Sequence, residues 1–462
     1  MQKKIQWDML PTIFALAWPT MFEQLMQTAV QYIDTAMVGA LGTHATAAVG
    51  ATTTINWLIN GSIAALGVGF LAYIAQACGA GLQERVSRAV AQAVLTTLVV
   101  GALFTALTLG LSGVIPVWMQ VDESIRETAS QYFFVLYLPM LPRTATLMFG
   151  TILRAAGDSK TPMWVGVMMN VVNIILNCLF IYPTRTVTWF SRSVTLPGLG
   201  WGVQGAAAAS AVAFTLGGLV ITIALWRHPV VSPKGVSMRP DWQVLKPCLR
   251  VALPNMLQRF ATSLGYVVSA AMINSLGEVA TAAHTIANTV ESAFYIPGFG
   301  MQTAAATLAG NAVGAGDKER LHNFKVVILV METGMMVVSA GLLFLFAPPM
   351  MGIFSDSPEV ILLGVTLLRM VAVSEPFYGI SIILEGMLQG VGNTVIPFAL
   401  NIAGMWGIRI VGTYLCSQVL GLGLVEIWVC MILHNMMLFA AFSLYHRFGC
   451  WNPLLKKKNA LV

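Results

Sequence analysis

Twelve long apolar segments dominate this chain and decide what it can become. A run of about 20 apolar residues crosses a bilayer as a helix, whereas a soluble domain needs only enough apolar residues to fill one core. The segments cover residues 12–38, 46–75, 88–115, 127–152, 162–183, 201–226, 247–273, 281–310, 324–347, 359–386, 395–418 and 421–446. Only 10% of the residues are charged, against about 25% in soluble domains. With 462 residues, each span and its loop share roughly 38, which leaves no room for an extramembrane catalytic or nucleotide-binding domain. The phosphate-cradling pattern G-x-x-x-x-G-K-S/T is absent, which argues against direct ATP hydrolysis. The six cysteines form no C-x-x-C pair, so buried free thiols are expected rather than metal or disulfide chemistry. The first apolar stretch exceeds a signal-peptide core and is read as an uncleaved span.

Charge then orients the spans. Of the 25 Lys and Arg residues, 18 fall at the termini or in the loops on the same side, including Lys3, Lys4, Lys456, Lys457 and Lys458. The opposite loops hold only Arg126, Arg185 and Arg192. Positive charge favours the cytoplasmic side, so both termini are expected there, in a cell inner membrane. The net charge of +6 is therefore a topology signal, and no nucleic-acid partner is expected.

The chain also repeats itself. A shift of 235 residues puts Pro19 on Pro254, Leu41-Gly42 on Leu276-Gly277, and Ala45-Thr46-Ala47-Ala48 on Ala280-Thr281-Ala282-Ala283. The same shift aligns Gly79-Ala80-Gly81 with Gly314-Ala315-Gly316, and 17 of the 67 positions from 19 to 85 match without a gap. Each repeat holds six spans, so both halves enter from one side, as parallel repeats of secondary transporters do. The expected fold is all-α and integral to the membrane, with twelve transmembrane helices in two pseudo-symmetric six-helix bundles around a central cavity. The first lobe is taken as 1–226, the cytoplasmic connector as 227–246, and the second lobe as 247–462.

Polar residues inside spans are the candidates for chemistry, because a central charge costs about 2.5–3.5 kcal/mol on insertion scales and so faces a cavity or a partner. Asp34 follows Gln24, Gln27 and Gln31 at helical spacing, all on one face. It lies toward the C-terminal end of its helix, where the dipole and desolvation both disfavour the ionised form. That suits a carboxylate exchanging a proton or Na⁺; the competing reading is an interfacial Asp that reaches water. Asn170, Asn173 and Asn177 form a second polar stripe, and Thr53, Asn56 and Asn60 a third, which together suggest a hydrated pocket around Asp34. Interhelical packing bonds would explain any single Asn equally well.

The second half differs, with His284, Asn288, Glu291 and Tyr295 on one face of the eighth span, and Glu375, Tyr378 and Glu385 in the tenth. Arg259 is expected to pair with Glu291 or Glu375 if those acids are structural. Glu332 and Glu23 rank lower for want of a comparable polar pattern, and Ser269 replaces Asp34 in the repeat. Pro19 removes a backbone donor from the Asp34 helix and is read as a conformational hinge.

Pro19 fifteen residues before Asp34, VGALG at 38–42, AAHTIANTVESAFYIPGFG at 282–300, SEP at 374–376, LQGVGNT at 388–394 and LRAAGDSKTP at 153–162 together resemble the multidrug and toxic compound extrusion (MATE) family across essentially the whole chain. The resemblance implies two six-helix lobes around a V-shaped cavity, exporting organic cations in exchange for Na⁺ or H⁺. It implies that Asp34 binds the coupling cation, as a Na⁺ ligand where Na⁺ is used, and substrate, with Asn173 and Asn177 as the polar pair of the fifth span. In the DinF-like branch the second member of that pair is an Asp, which Asn177 is not. The NorM-like carboxylates fall near Thr262 and Tyr378, neither acidic, and Glu291 and Glu375 are neighbouring substitutes.

The expected site is therefore Asp34, Gln31, Asn173, Asn177, Asn56, Glu291, Glu375 and Tyr378. No cofactor beyond the coupling ion, no enzyme activity, small-molecule organic cations or drugs as partners and a monomer in the lipid bilayer are expected. A lipid-linked precursor flippase is the competing transporter reading. It would need a basic cavity, for which only Arg143, Arg259, Arg369 and Arg409 are available.

Overall fold

The computed structural model describes residues 7–119, 121–189 and 192–455, with the side chains at 43, 51–54 and 186–196 outside that description. Lys3, Lys4, Lys456, Lys457 and Lys458, and the side chains of Thr53 and Arg192, thus lie outside the described residues.

After a turn at Trp7–Met9, the first half runs through α1 (Leu10–Gly39), α2 (Thr43–Gly79), α3 (Gln83–Gly110), the single turn α4 (Ile115–Trp118), α5 (Glu123–Tyr137), α6 (Met140–Ala155), α7 (Lys160–Phe180) and α8 (Gly202–Arg227). The second half has α9 (Trp242–Asn274), α10 (Glu278–Gly314), α11 (Lys318–Phe354), α12 (Pro358–Ala372), α13 (Glu375–Gly390), α14 (Val395–Ile402), α15 (Val411–Tyr414) and α16 (Leu424–Phe448).

Among the described residues, seven helices are long and apolar enough to span a membrane, and two bent pairs raise that to nine. The pairs are α5 with α6, bent by 51° next to Pro139, and α12 with α13, bent by 53° next to Pro376; proline withholds the backbone donor that would continue each helix. The other three spans, α1, α9 and α10, are 30, 33 and 37 residues long. They are less apolar than the others, and they carry Asp34, Arg259 and Glu291. The twelve helical spans form two pseudo-symmetric six-helix bundles around a central cleft.

Two features were not anticipated. Pro183–Trp189 and Arg192–Leu199 pair as an antiparallel hairpin between the fifth and sixth spans, where alternating β-branched residues (Thr186, Val187, Thr188; Val194, Thr195) favour strands. In the eleventh span, α14 and α15 are joined and followed by π-helical stretches, Ala403–Ile410 and Leu415–Val419. The cysteines are free, but only Cys248 and Cys430 are buried; Cys78, Cys178 and Cys416 are half-buried and Cys450 is exposed.

Each lobe lends its first helix to the other. Ile13, Leu16 and Ala17 of α1 join the apolar core of α10, α11, α13 and α16, while Cys248 of α9 joins the core built on α2 and α3. Backbones meet where α2 and α10 end. A β-carbon on Gly79 would lie 2.1 Å from the Asn311 carbonyl oxygen, and one on Gly314 would lie 1.9 Å from that of Gln76. Gly79 and Gly314, like Gln76 and Asn311, are repeat partners, so the contact is reciprocal. Gln76 Nε2 also donates to the Gly390 carbonyl at 3.1 Å. From Phe70 to Ala77 on α2 and from Ala304 to Val313 on α10 the side chains are almost all buried, whereas the opposite halves of both helices are largely accessible. The cleft is sealed at the end that carries the termini and accessible toward the other. A recess of about 800 Å³ between α3 and the connector, lined by Arg88, Gln92, Arg239 and Asp241, lies outside it; there the Arg88 guanidinium holds the Asp241 carboxyl below its usual range.

Gly314→Leu should force this seam apart, at a cost of about 1–3 kcal/mol for overpacking. Spin labels at Glu84 and Lys318, both exposed on the sealed face, should report a longer separation than in the parent. An unchanged distance would mean that the glycine contact does not hold the seal.

Candidate functional site

α1 brings Asp34 against α7, and the i, i+4 spacing of Asn173 and Asn177 turns both amides toward it. Asn177 Nδ2 donates to Asp34 Oδ1 at 2.6 Å. The Asn173 amide satisfies its surroundings with its nitrogen 2.9 and 3.2 Å from the two Asp34 oxygens and its oxygen accepting from Ser210 Oγ of α8 at 3.0 Å. Asn177 Oδ1 is buried and has no partner. Asp34 therefore sits among neutral amides, with no Lys or Arg bonded to it among the described residues. Two carboxylate oxygens beside an unpartnered amide oxygen are hard donors that suit a proton or Na⁺.

Two expected members are elsewhere. Gln31 is exposed, and only its carbonyl, accepting from Thr35, makes a hydrogen bond, at 2.8 Å. Asn56 does not face Asp34: its Oδ1 accepts from Tyr137 at 3.0 Å and from Arg143 Nη2, because α2 presents it to the α5–α6 bend rather than to α1. Arg143 is buried between the rings of Phe214 and Tyr137, 4.5 and 5.3 Å from their centres. Its Nε and Nη1 have no partner. Tyr132 lies within electrostatic reach of both Arg143 and Asp34, so the two clusters adjoin.

In the second lobe, Glu291 and Glu375 are both buried and meet carboxyl to carboxyl within hydrogen-bonding reach. Such a bond requires a proton on one of them. Arg409, not Arg259, is the cation facing Glu291, and it stacks over Tyr266 at 4.9 Å. Tyr378 packs edge-on against Tyr295 with ring centres 5.8 Å apart. Arg259 corrects the expected pairing. It lies beside Gly61 of α2 and its charge partner is Glu385, which takes amide bonds from Gln258, Gln389 and Asn401 at 2.9, 3.0 and 3.2 Å. Glu23, ranked low for lack of polar neighbours, accepts two bonds from Arg154 at 2.7 and 2.8 Å.

The repeat held a signal that was not used. A shift of 235 places Asn56 on Glu291 and Arg143 on Tyr378. The first lobe thus has an unpaired cation where the second has an acid pair, and its own acid, Asp34, has Ser269 as counterpart.

Comparison with known proteins agrees with this arrangement. The MatE family profile matches residues 19–179 and again 254–415, two blocks that start 235 residues apart. The chain is 27% identical over 420 residues to the probable multidrug resistance protein NorM of Thermotoga maritima, covering 91% of this chain and 88% of that protein. It is 27% identical over 414 residues to the multidrug resistance protein MdtK of Yersinia pseudotuberculosis, covering 87% of each. A solved outward-facing multidrug resistance MATE family transporter of the MOP superfamily superposes with a TM-score of 0.88 at 25% identity, covering 96% of both chains. A MOP superfamily transporter from Pyrococcus furiosus, described as having a binding pocket of reverse polarity, gives 0.86 at 25% identity, again over 96% of each. With the family pattern matched in both halves of a twelve-span helical fold, this chain belongs to the MATE family of membrane transporters.

Proposed function

We propose that this protein is a secondary active multidrug efflux antiporter, exporting amphipathic organic cations in exchange for H⁺ or Na⁺ by alternating access. The observation that carries this reading is the unpaired Asp34 carboxylate held by Asn173 and Asn177. A single negative charge among neutral amides binds one cation at a time, so a coupling ion and a cationic drug compete for it. That competition is what exchange requires: the site carries drug one way and ion the other.

The remaining features fit the cycle. By the distribution of Lys and Arg, the sealed end is cytoplasmic, so the cleft described above is open outward. Residues 1–226 and 247–462 act as the two rocking units, joined by the 227–246 connector, and one chain contains the whole path, as a monomer. Pro19 lies within α1, buried against the second lobe, where a change in bend would move Asp34 relative to α7. Glu291, Glu375 and Tyr378 form a second polar contact surface for cations. The flippase reading has less support, because the four arginines do not cluster. Arg143 is bonded to Asn56, Arg409 faces Glu291, Arg259 faces Glu385, and Arg369 lies over Phe344.

Asp34→Asn keeps the shape and removes the charge, so ethidium efflux from cells should fall by about tenfold or more, the value of one charged hydrogen bond. Efflux at the parent rate would remove Asp34 from the mechanism. Asn177→Ala should weaken equilibrium binding of ethidium to the purified protein by about tenfold, whereas Asn56→Ala should weaken it clearly less, since Asn56 bonds to Arg143 and Tyr137 and not to Asp34. Equal losses from both would place Asn56 back at the Asp34 site.

A further inference from the structure

Glu332 of α11 occupies a place where a negative charge has no compensation. The residue has no exposed surface, and neither carboxyl oxygen has a hydrogen-bond partner. Two glycines make room for it. A β-carbon on Gly298 of α10 would lie 2.7 Å from Glu332 Oε1, and one on Gly379 of α13 would lie 3.1 Å from the same oxygen. Met336, one turn further along α11, closes the slot against both glycines.

The helices packed around α11 do carry titratable groups. They include His284, Glu291 and Tyr295 on α10, Glu359 and Arg369 on α12, and Glu375, Tyr378 and Glu385 on α13. Glu278 on α10, Glu23, Tyr32 and Asp34 on α1, and Asp8 in the preceding turn also belong to these elements. None of them, nor Lys325 two turns back on α11, bonds to Glu332, whose two carboxyl oxygens are buried without a partner. An ionised carboxylate there would give up its hydration with nothing in return, so the side chain holds a proton in this conformation.

The slot also sits on a joint. Pro297 precedes Gly298 and leaves the Ala293 carbonyl without its helical donor. Ser339, on the same face of α11 as Glu332, donates to the Phe294 carbonyl at 2.9 Å. α11 therefore clasps α10 on both sides of Pro297. The Glu291–Glu375 pair lies seven residues away along α10 and four along α13, or about 10 and 6 Å at 1.5 Å per residue.

We propose that Glu332 is a proton-binding site of the second lobe, loaded while α10 and α13 close the slot and emptied toward the Glu291–Glu375 pair when α10 changes its bend at Pro297 and water enters. The step is a proton transfer from the Glu332 carboxyl to water and on to a carboxylate of the pair, with no other bond made or broken. It deepens the antiport reading and rests on it, because the change of bend is the change between the two faces of alternating access.

Glu332→Gln tests this, since glutamine has the size of the protonated acid and cannot exchange the proton. The full chain in liposomes is assayed with ethidium, once for exchange without a gradient and once for uptake driven by a pH gradient, over a range of pH. The variant should bind ethidium and exchange it without a gradient as the parent does. It should lose pH-driven accumulation and show a flat pH profile. A variant with the parent's pH profile overturns the proposal.

Glu332→Asp, which can still carry a proton, should restore part of the pH-driven uptake; no restoration counts against proton binding as the role. Should the parent move no ethidium on any gradient, the antiport reading fails separately, and infrared spectroscopy of the parent decides the Glu332 site alone. A protonated-carboxyl band that titrates with pH and is missing in Glu332→Gln supports it. A spectrum unchanged by the substitution overturns it.

Discussion

Charge inside a bilayer must be compensated, and the two lobes meet that constraint in opposite ways. The first lobe leaves one carboxylate, Asp34, among neutral amides that can orient toward it but cannot neutralise it. It places an unpaired guanidinium, Arg143, one tyrosine away. The second lobe gathers its acids, with Glu291 and Glu375 buried side by side and Arg409 facing Glu291. The cleft thus lies between one lobe whose acid has no bonded Lys or Arg among the described residues and another whose acids are paired with each other. The architecture is symmetric in backbone and asymmetric in chemistry.

Moving such sites between two faces requires a seal that can break cleanly. The reciprocal contact of Gly79 and Gly314 supplies one built almost wholly from backbone. Close approach without side chains gains dispersion contacts over a short seam, and the Gln76 bond to the Gly390 carbonyl adds a polar contact beside it. Swapping the first helices between lobes, α1 onto α10 and α9 toward α2, ties opening of the seam to the position of α1. Asp34 rides on that helix.

Much of this was legible in the sequence. The twelve spans follow from the apolar runs, the 235-residue repeat from residues matched without a gap, and the stripe that brings Asn173 and Asn177 to Asp34 from helical periodicity, which survives into the folded chain. What the periodicity could not supply was rotation about each helix axis. Asn56 belongs to a stripe as regular as that of Asn173, yet it faces Arg143, because only packing against α5 and α6 decides which way α2 turns. Arg259 went to Glu385 for the same reason. Glu332 ranked low because its neighbours are glycines, which leave no pattern of polarity; its meaning appears only when three helices are seen to leave it without a partner.

The account stands on coupled exchange through one cleft. The most direct measurement is ethidium movement by the purified protein in liposomes under separately imposed H⁺ and Na⁺ gradients. Antiport predicts uphill accumulation driven by at least one of the two and abolished by the matching ionophore. Movement that only follows ethidium's own gradient, whichever ion gradient is imposed, would contradict it.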